Sequence, residues 1–138
     1  MYKRIILSLS LAHGFAPKAL TVARNLCAEG GEIVAVHVYE MPSGSVKAFL
    51  DEELVRQAYA EAKQRLHDKV GNEGDVQAVM LTGHSARAIM DYADETQADL
   101  IIVGSHMPGL SDYFLGSTAS RIVRHAGCDV HVLRHPEE

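Results

Sequence analysis

The residues best suited to chemistry lie in one glycine-rich stretch near the C-terminus, GSHMPGLSDYFLGST, residues 104–118. It ends in Gly116, Ser117 and Thr118, where the apolar pattern predicts that a helix begins. The free N–H groups and the dipole of a helix N-terminus favour an anion, and a glycine lets the backbone come close to it. The stretch therefore fits a phosphate site. A plain turn with Ser117 as the helix cap explains the same residues, and this alternative stays open.

Better-known phosphate and nucleophile motifs do not fit the chain. The helix start at Gly116 lacks the lysine of a Walker A loop. The step Gly83-His84-Ser85 lacks the closing glycine of a nucleophile elbow, because Arg87 stands in its place. The first strand is not followed by the G-x-G-x-x-G of a dinucleotide fold. We therefore expect neither a P-loop enzyme, nor an α/β-hydrolase, nor a dinucleotide-dependent enzyme.

The eight histidines do not form a metal site by spacing. Only His131 and His135 stand four residues apart, and they flank the end of a predicted strand instead of sharing a helix face. No Ser-His-Asp or Cys-His set can be assembled from spacing either. We expect no metal site and no catalytic residues.

Composition limits the class of protein. The chain has 138 residues, of which 47% are apolar and 22% charged, as in one ordinary globular domain, residues 1–138. A net charge of −5 argues against a nucleic-acid partner. The opening apolar run is too short to span a bilayer, and two distant cysteines do not suggest a disulfide framework. We expect a cytoplasmic protein without a membrane partner.

Apolar runs typical of strands alternate with helical patterns along the chain. The predicted strands are 4–11, 32–40, 75–81, 99–104 and 129–134, and the predicted helices are 15–28, 48–70, 85–96 and 117–125. Gly30-Gly31 is expected to stop the first helix, and Ser85 to cap the third. Five strands with intervening helices predict the α/β class, with a parallel sheet covered on both faces.

The second predicted helix is expected to bury one apolar face in the core. That face contains Leu50, Leu54, Val55, Ala58, Ala62 and Leu66. In an open α/β sheet, ligands bind beyond the carboxyl ends of the strands, near the point where the strand order reverses. The candidate loops are therefore 11–14, 39–45, 83–85 and 105–115.

The segment GSHMPGLSDYFLGSTASRIVRHAGCDVHVLR resembles the C-terminal signature of the universal stress proteins, whose nucleotide-binding members carry G-x2-G-x9-G-S/T. The resemblance extends to earlier parts of the chain. The opening strand is similar in MYKRIILSLSL, the second strand in VAVHVYE, and the third helix with the fourth strand in TGHSARAIMDYADETQADLIIVGSH. The resemblance implies an open five-stranded parallel sheet in the order 3-2-1-4-5, with helices on both faces, as in the adenine nucleotide α-hydrolase-like fold. It also implies a homodimer through the last strand, with tetramers left open.

The resemblance further implies a site for ATP, with or without Mg²⁺, or for another adenine nucleotide. Gly104 matches the first glycine of the motif, Gly116 and Ser117 match its closing pair, and adenine is expected against the backbone near Val38. The full set of expected binding residues is Ser10, Val38, Gly104, His106, Met107, Gly109, Gly116, Ser117 and Thr118.

Two positions depart from the family pattern. Met107 stands where the motif has its middle glycine, although Pro108 favours extended backbone there and Gly109 adds freedom nearby. Ser10 stands where nucleotide-binding members have an acid at the end of the first strand. Loss of a charge-assisted hydrogen bond costs about 1.5–3 kcal/mol, or about one to two decades of affinity.

Three functions are compatible with these residues. The first is a cytoplasmic stress-response dimer that binds an adenine nucleotide and signals through its occupancy. The second is a nucleotide-free universal stress protein that acts as a module for unknown protein partners, as Ser10 and Met107 suggest. The third is slow ATP hydrolysis, for which His106 is the one candidate base in the loop.

Overall fold

The computed structural model describes residues 1–10, 18–40, 51–105 and 115–134. The strands and helices of these ranges, in chain order, are β1 (Tyr2–Ser8), α1 (Ala19–Leu26), β2 (Cys27–Tyr39), α2 (Glu52–Val70), β3 (Val76–Thr82), α3 (Ser85–Thr96), β4 (Leu100–Gly104), α4 (Ser117–His125) and β5 (Asp129–Leu133). Among the helices described, none is long and apolar enough to cross a membrane.

The five strands form one sheet in the order β3-β2-β1-β4-β5, and every neighbouring pair is parallel. The order confirms the fold expected from the resemblance. The chain first builds outward from β1 through β2 to β3, then returns to the other side of β1 with β4 and β5. The reversal therefore lies between β1 and β4, where open α/β sheets bind ligands.

Helices cover both faces of the sheet. The central strand β1 is buried on both sides, with Ile5 and Ile6 fully inaccessible and Leu7 only 1% exposed. Ile5 and Leu7 pack in one apolar cluster with residues of α1 and α2, and Ile6 packs in a second cluster with residues of α3 and α4. A strand buried on both faces reads as a continuous apolar run, which is why this segment was recognisable from the sequence.

The expectation that Gly30-Gly31 stops α1 is wrong. The helix already ends at Leu26, and both glycines lie within β2. Gly30 has φ 78°, and a Cβ on Gly31 would lie 2.9 Å from the Ala28 carbonyl oxygen. The β1–β2 register shifts at this point, as at a β-bulge. Because a helix end and a bulge both require glycine at positive φ, the sequence pattern did not separate them.

The buried face of α2 differs in part from the predicted one. Ala62 and Leu66 are buried as expected, but Leu54 is 60% exposed and Ala58 is also exposed. Leu54 lies about 100° around the helix from Val55, and the half-buried Val55 belongs to the face that meets the sheet. Tyr59 lies on that face and contacts Tyr39 of β2 edge to face, with ring centroids 5.4 Å apart. The predicted Leu50 lies outside the described residues.

Candidate functional site

The strands β1 and β4 separate at the carboxyl edge of the sheet. They pair as far as Leu7 and Ile102, whereas β1 stays paired with β2 to Ser8, and β4 with β5 to Gly104. Beyond these pairs, the Leu9 N–H donates to a β2 carbonyl at 2.9 Å, and the Ser105 N–H donates to a β5 carbonyl at 2.8 Å. Each strand is thus held by its outer neighbour. The described backbones of β1 and β4 therefore diverge at the point where the strand order reverses, and we call this point the crevice.

Three of the predicted binding positions lie around this crevice. Ser10 and Val38 each lie two residues beyond the register pair formed by Ser8 and Val36, and Gly104 ends β4 on the opposite side. Ser10 and Gly104 are exposed. Val38 is only 9% exposed, and its side chain packs in the second cluster.

The described residues leave space over Gly104. A Cβ built on this residue would have no atom within 4 Å among the described residues. The backbone of β4 can therefore be approached closely at the position where the glycine-rich stretch begins. The next predicted positions of that stretch, His106, Met107 and Gly109, lie outside the described residues.

The N-terminus of α4 carries no capping side chain. Its N-cap is Gly116, with φ −63° and ψ 161°, and Ser117 is the first helical residue. Ser117 is therefore not the cap that the plain-turn alternative required. The first turn contains no acidic residue, and the last turn contains Arg124 and His125. With Ser117 exposed and Thr118 half-exposed, this helix end has the electrostatics of an anion site.

The N-terminus of α3, at the same edge of the sheet, is different. Ser85 was expected to cap this helix, but the N-cap is His84 and Ser85 is the first helical residue. The Ser85 hydroxyl instead donates to Oε2 of Glu40 at 2.9 Å. Glu40 follows β2 directly, so the chain places its own carboxylate at this helix end. Because the two residues are 45 positions apart, spacing gave no signal for the pair.

A histidine connects the two strands that form one wall of the crevice. Nδ1 of His37 in β2 lies 3.1 Å from the carbonyl oxygen of Leu9, the residue that precedes Ser10. A carbonyl oxygen only accepts, so the ring nitrogen carries the hydrogen. The sequence indicates His37 only through the VAVHVYE match, and no local pattern predicts its contact with Leu9.

The clearest pKa shifts lie away from this edge. Burial, aided by nearby carboxylates, raises the pKa of the Cys128 thiol, so this cysteine is not an activated nucleophile. Burial also acts to raise the pKa of Asp99, but hydrogen bonds from the amides of Lys3 and Arg4 outweigh it and the pKa is lowered. Across residues 1–10, 18–40, 51–105 and 115–134, no group of three His, Cys, Asp or Glu residues could hold a metal ion.

The strand order places this protein among the open parallel α/β folds, which bind ligands at the point where the strand order reverses. The model of the universal stress protein family matches residues 1–134, and the chain therefore belongs to the universal stress protein family. A relative in Thermus aquaticus, "Universal stress protein in QAH/OAS sulfhydrylase 3'region", is 31% identical over 138 residues, covering 97% of this chain and all of its own. "Universal stress protein MJ0531" of Methanocaldococcus jannaschii is 28% identical, covering all of this chain and 85% of its own.

Solved structures share the fold at lower identity. The hypothetical protein MJ0577 superposes with a TM-score of 0.74 at 24% identity, covering all of this chain and 99% of its own. A universal stress protein in complex with cAMP has a TM-score of 0.58 at 19% identity, with 98% of both chains covered. The universal stress protein of Archaeoglobus fulgidus in complex with dAMP has a TM-score of 0.58 at 18% identity, covering 95% of this chain and 97% of its own.

Proposed function

We propose that this protein binds ATP or a related adenine nucleotide in the crevice between β1 and β4, and that occupancy of the site is its signal in a stress response. The observation that carries the proposal is the N-terminus of α4, the helix that follows Gly104 along the chain. It has neither a capping side chain nor an acid in its first turn. A phosphate group supplies the negative charge that such a helix end favours.

The N-termini of α3 and α4, both at the carboxyl edge of the sheet, differ in how well they accommodate phosphate. The carboxylate of Glu40 lies at the N-terminus of α3, where it repels phosphate. The N-terminus of α4 is free of acids, so we place the phosphates there, on the amides after Gly116 and the hydroxyls of Ser117 and Thr118. A bound Mg²⁺ would be held mainly by phosphate oxygens, as is usual for this ion.

The adenosine is placed on the other side of the crevice. The resemblance to nucleotide-binding family members places adenine against the backbone at the end of β2, near Val38, and Ser10 follows β1 at the matching register position. The family members solved with cAMP and with dAMP support an adenine nucleotide as the ligand class.

Titration calorimetry and thermal melting with millimolar Mg-ATP test this proposal. A ligand that binds only the folded state raises its stability, by about 2.7 kcal/mol when its concentration is a hundred times Kd. Adenosine and inorganic triphosphate, titrated separately, report the two ends of the site, and each is expected to bind more weakly than Mg-ATP. If Mg-ATP leaves the melting temperature unmoved and produces no heat, the protein is a nucleotide-free interaction module instead.

The homodimer and the cytoplasmic location are part of the same proposal. β5 is an edge strand of the sheet, and an edge strand has unpaired backbone groups that a second copy can satisfy. Cys27 and Cys128 are both free thiols, the form in which a reducing compartment keeps cysteines. The mass of the protein in solution tests the dimer, because each chain is 15.0 kDa.

A further inference from the structure

We propose that His37 is a positioning residue for the nucleotide, because its ring fixes the end of β1 at the crevice. The inference rests on the proposed function, since it concerns the same site. It assigns to His37 an effect on affinity that is exerted through Leu9 and Ser10, without direct contact between the ring and the phosphates.

The contact joins residues 28 positions apart. Nδ1 of His37 lies 3.1 Å from the carbonyl oxygen of Leu9, in a partly buried position. The N–H of the same Leu9 donates to the carbonyl of Val36 at 2.9 Å. Both backbone groups of Leu9 are therefore held by two successive residues of β2, one through backbone and one through a side chain.

This double attachment lies where β1 loses its other neighbour. The pairing of β1 with β4 ends at Leu7, and Leu9, which directly follows the last residue of β1, is only 3% exposed. The next residue, Ser10, is exposed at the crevice. The bonds between Leu9 and β2 thus hold the residue that directly precedes Ser10, and Ser10 itself lies in a β-bridge.

The same histidine also adjoins the adenine side of the site. His37 immediately precedes Val38, whose backbone is the proposed adenine contact, and it pairs with Met80 of β3 in the sheet register. Its backbone is therefore held in the sheet while its ring holds β1. His37 thus contributes, together with the backbone bond from Leu9 to Val36, to the separation between Ser10 and Val38, the two positions that a nucleoside would bridge.

Three variants distinguish a loss of nucleotide affinity caused by mispositioning from a loss of affinity caused by a less stable fold. His37→Phe keeps a planar ring but removes the donor, and leaves the Leu9 carbonyl without this partner. His37→Asn restores a donor near the place of Nδ1. Thr96→Val is the matched control, because it also removes a partly buried hydrogen bond from a side chain to a backbone carbonyl. Thr96 Oγ1 donates to the Tyr92 carbonyl oxygen at 2.7 Å, at the amino edge of the sheet and so away from the crevice.

Titration calorimetry with Mg-ATP, with melting temperatures measured in parallel, gives the main result. We expect His37→Phe to weaken binding about tenfold, as loss of one buried hydrogen bond predicts. His37→Asn should regain most of that affinity. Thr96→Val should bind as the wild type does, even where its melting temperature falls as far as that of His37→Phe.

Nitrogen-15 NMR of the nucleotide-free protein provides a second result. Where the ring is neutral, we expect the hydrogen of His37 on Nδ1, the less common tautomer, and we expect this signature to be independent of any ligand.

Each contrary result has a distinct meaning. A wild type that binds Mg-ATP together with a His37→Phe variant of equal affinity overturns the positioning role alone. An equal loss of affinity in Thr96→Val, or a ring hydrogen found on Nε2, overturns it as well. A wild type that binds no Mg-ATP overturns the proposed function and this role together.

Discussion

A methyl group added at Gly104 would meet no atom of the described residues within 4 Å, and the residue is not held at positive φ. Gly104→Ala should therefore leave the melting temperature unchanged or slightly raised, because alanine reduces the freedom of the unfolded chain. If a nucleotide lies against this backbone, the same methyl group displaces it, and we expect affinity for Mg-ATP to fall about tenfold.

The matched control for Gly104 is Gly74, which also has open space around a built Cβ but lies at the amino edge, before β3. Gly74→Ala should bind Mg-ATP as the wild type does. Calorimetry on the two variants, with their melting temperatures, is the measurement. Unchanged binding in Gly104→Ala would remove this glycine from the site.

The carboxylate of Asp99 gives the protein a predictable response to acid. It accepts hydrogen bonds from the amides of Lys3 and Arg4, both at 2.9 Å, and its pKa is lowered despite the opposing effect of burial. A lowered pKa in the folded state means that the stabilisation is complete above the ordinary pKa of about 3.9 and is lost as the pH falls through the folded value.

Asp99→Asn should lower the free energy of unfolding near neutral pH by about 1.5 kcal/mol. This value is the low end of the range for hydrogen bonds to a charged group, and we choose it because the carboxylate is only half-buried. The difference from the wild type should shrink below about pH 4. Urea unfolding from neutral pH into this range measures it. Glu95→Gln, which removes an exposed carboxylate nearby, should produce no such pattern. A gap that stays constant into acid would show that the ionised form of Asp99 is not what stabilises the fold.

Among the helices, α2 has a side-chain cap that the glycine-capped α4 lacks. The Asp51 carboxylate accepts from the Glu53 amide at 2.7 Å. We expect Asp51→Ala to cost about 1 kcal/mol, which corresponds to about 4 °C in melting temperature for a domain of this size. Asp51→Ser keeps a capping oxygen and should recover most of the loss. Equal melting temperatures for the Ala and Ser variants would show that the cap does not stabilise α2.

The elements that the sequence predicted best are those in which pattern and burial coincide. α4 runs from Ser117 to His125 as predicted, and the all-apolar β4 differs from its prediction by one residue. The prediction of helix ends and buried faces failed where the same residue types occur in two different local structures. Gly30-Gly31 fits a helix end and a bulge equally, and the adjacent Leu54 and Val55 are both apolar although the helix turns only one of them to the sheet.

The candidate site was predictable in its position but not in its contacts. Parallel topology places Ser10, Val38, Gly104 and Gly116 at one edge, and the order of the strands follows from the family resemblance. The bonds from Ser85 to Glu40 and from His37 to Leu9 join distant parts of the chain. No local pattern encodes such pairs, so they became visible only in the folded structure.

At the scale of the whole molecule, the dimer proposed through β5 has a specific test. The Leu133 carbonyl accepts a hydrogen bond from the Ser105 N–H, so the backbone groups of Leu133 point toward β4. Because the backbone groups of successive strand residues point to opposite sides, those of Val130 and Val132 face away from the sheet. Val130→Pro removes one outward N–H without removing a bond to β4. We expect its mass in solution to fall from that of two 15.0 kDa chains to one.

The control for this edge is Val130→Ala, which shortens the side chain but retains the N–H. It should remain a dimer in light scattering coupled to size exclusion, while Val130→Pro elutes as a monomer with an unchanged circular dichroism spectrum. A dimeric Val130→Pro variant would place the interface elsewhere on the molecule.

A crystal structure of the protein grown with Mg-ATP tests the central proposal most directly. We expect a nucleotide in the crevice between β1 and β4, with its phosphates on the amides that follow Gly116 and its adenine near the backbone of Val38. A crevice that stays empty at saturating Mg-ATP, or phosphates bound instead at the N-terminus of α3 beside Glu40, would contradict it.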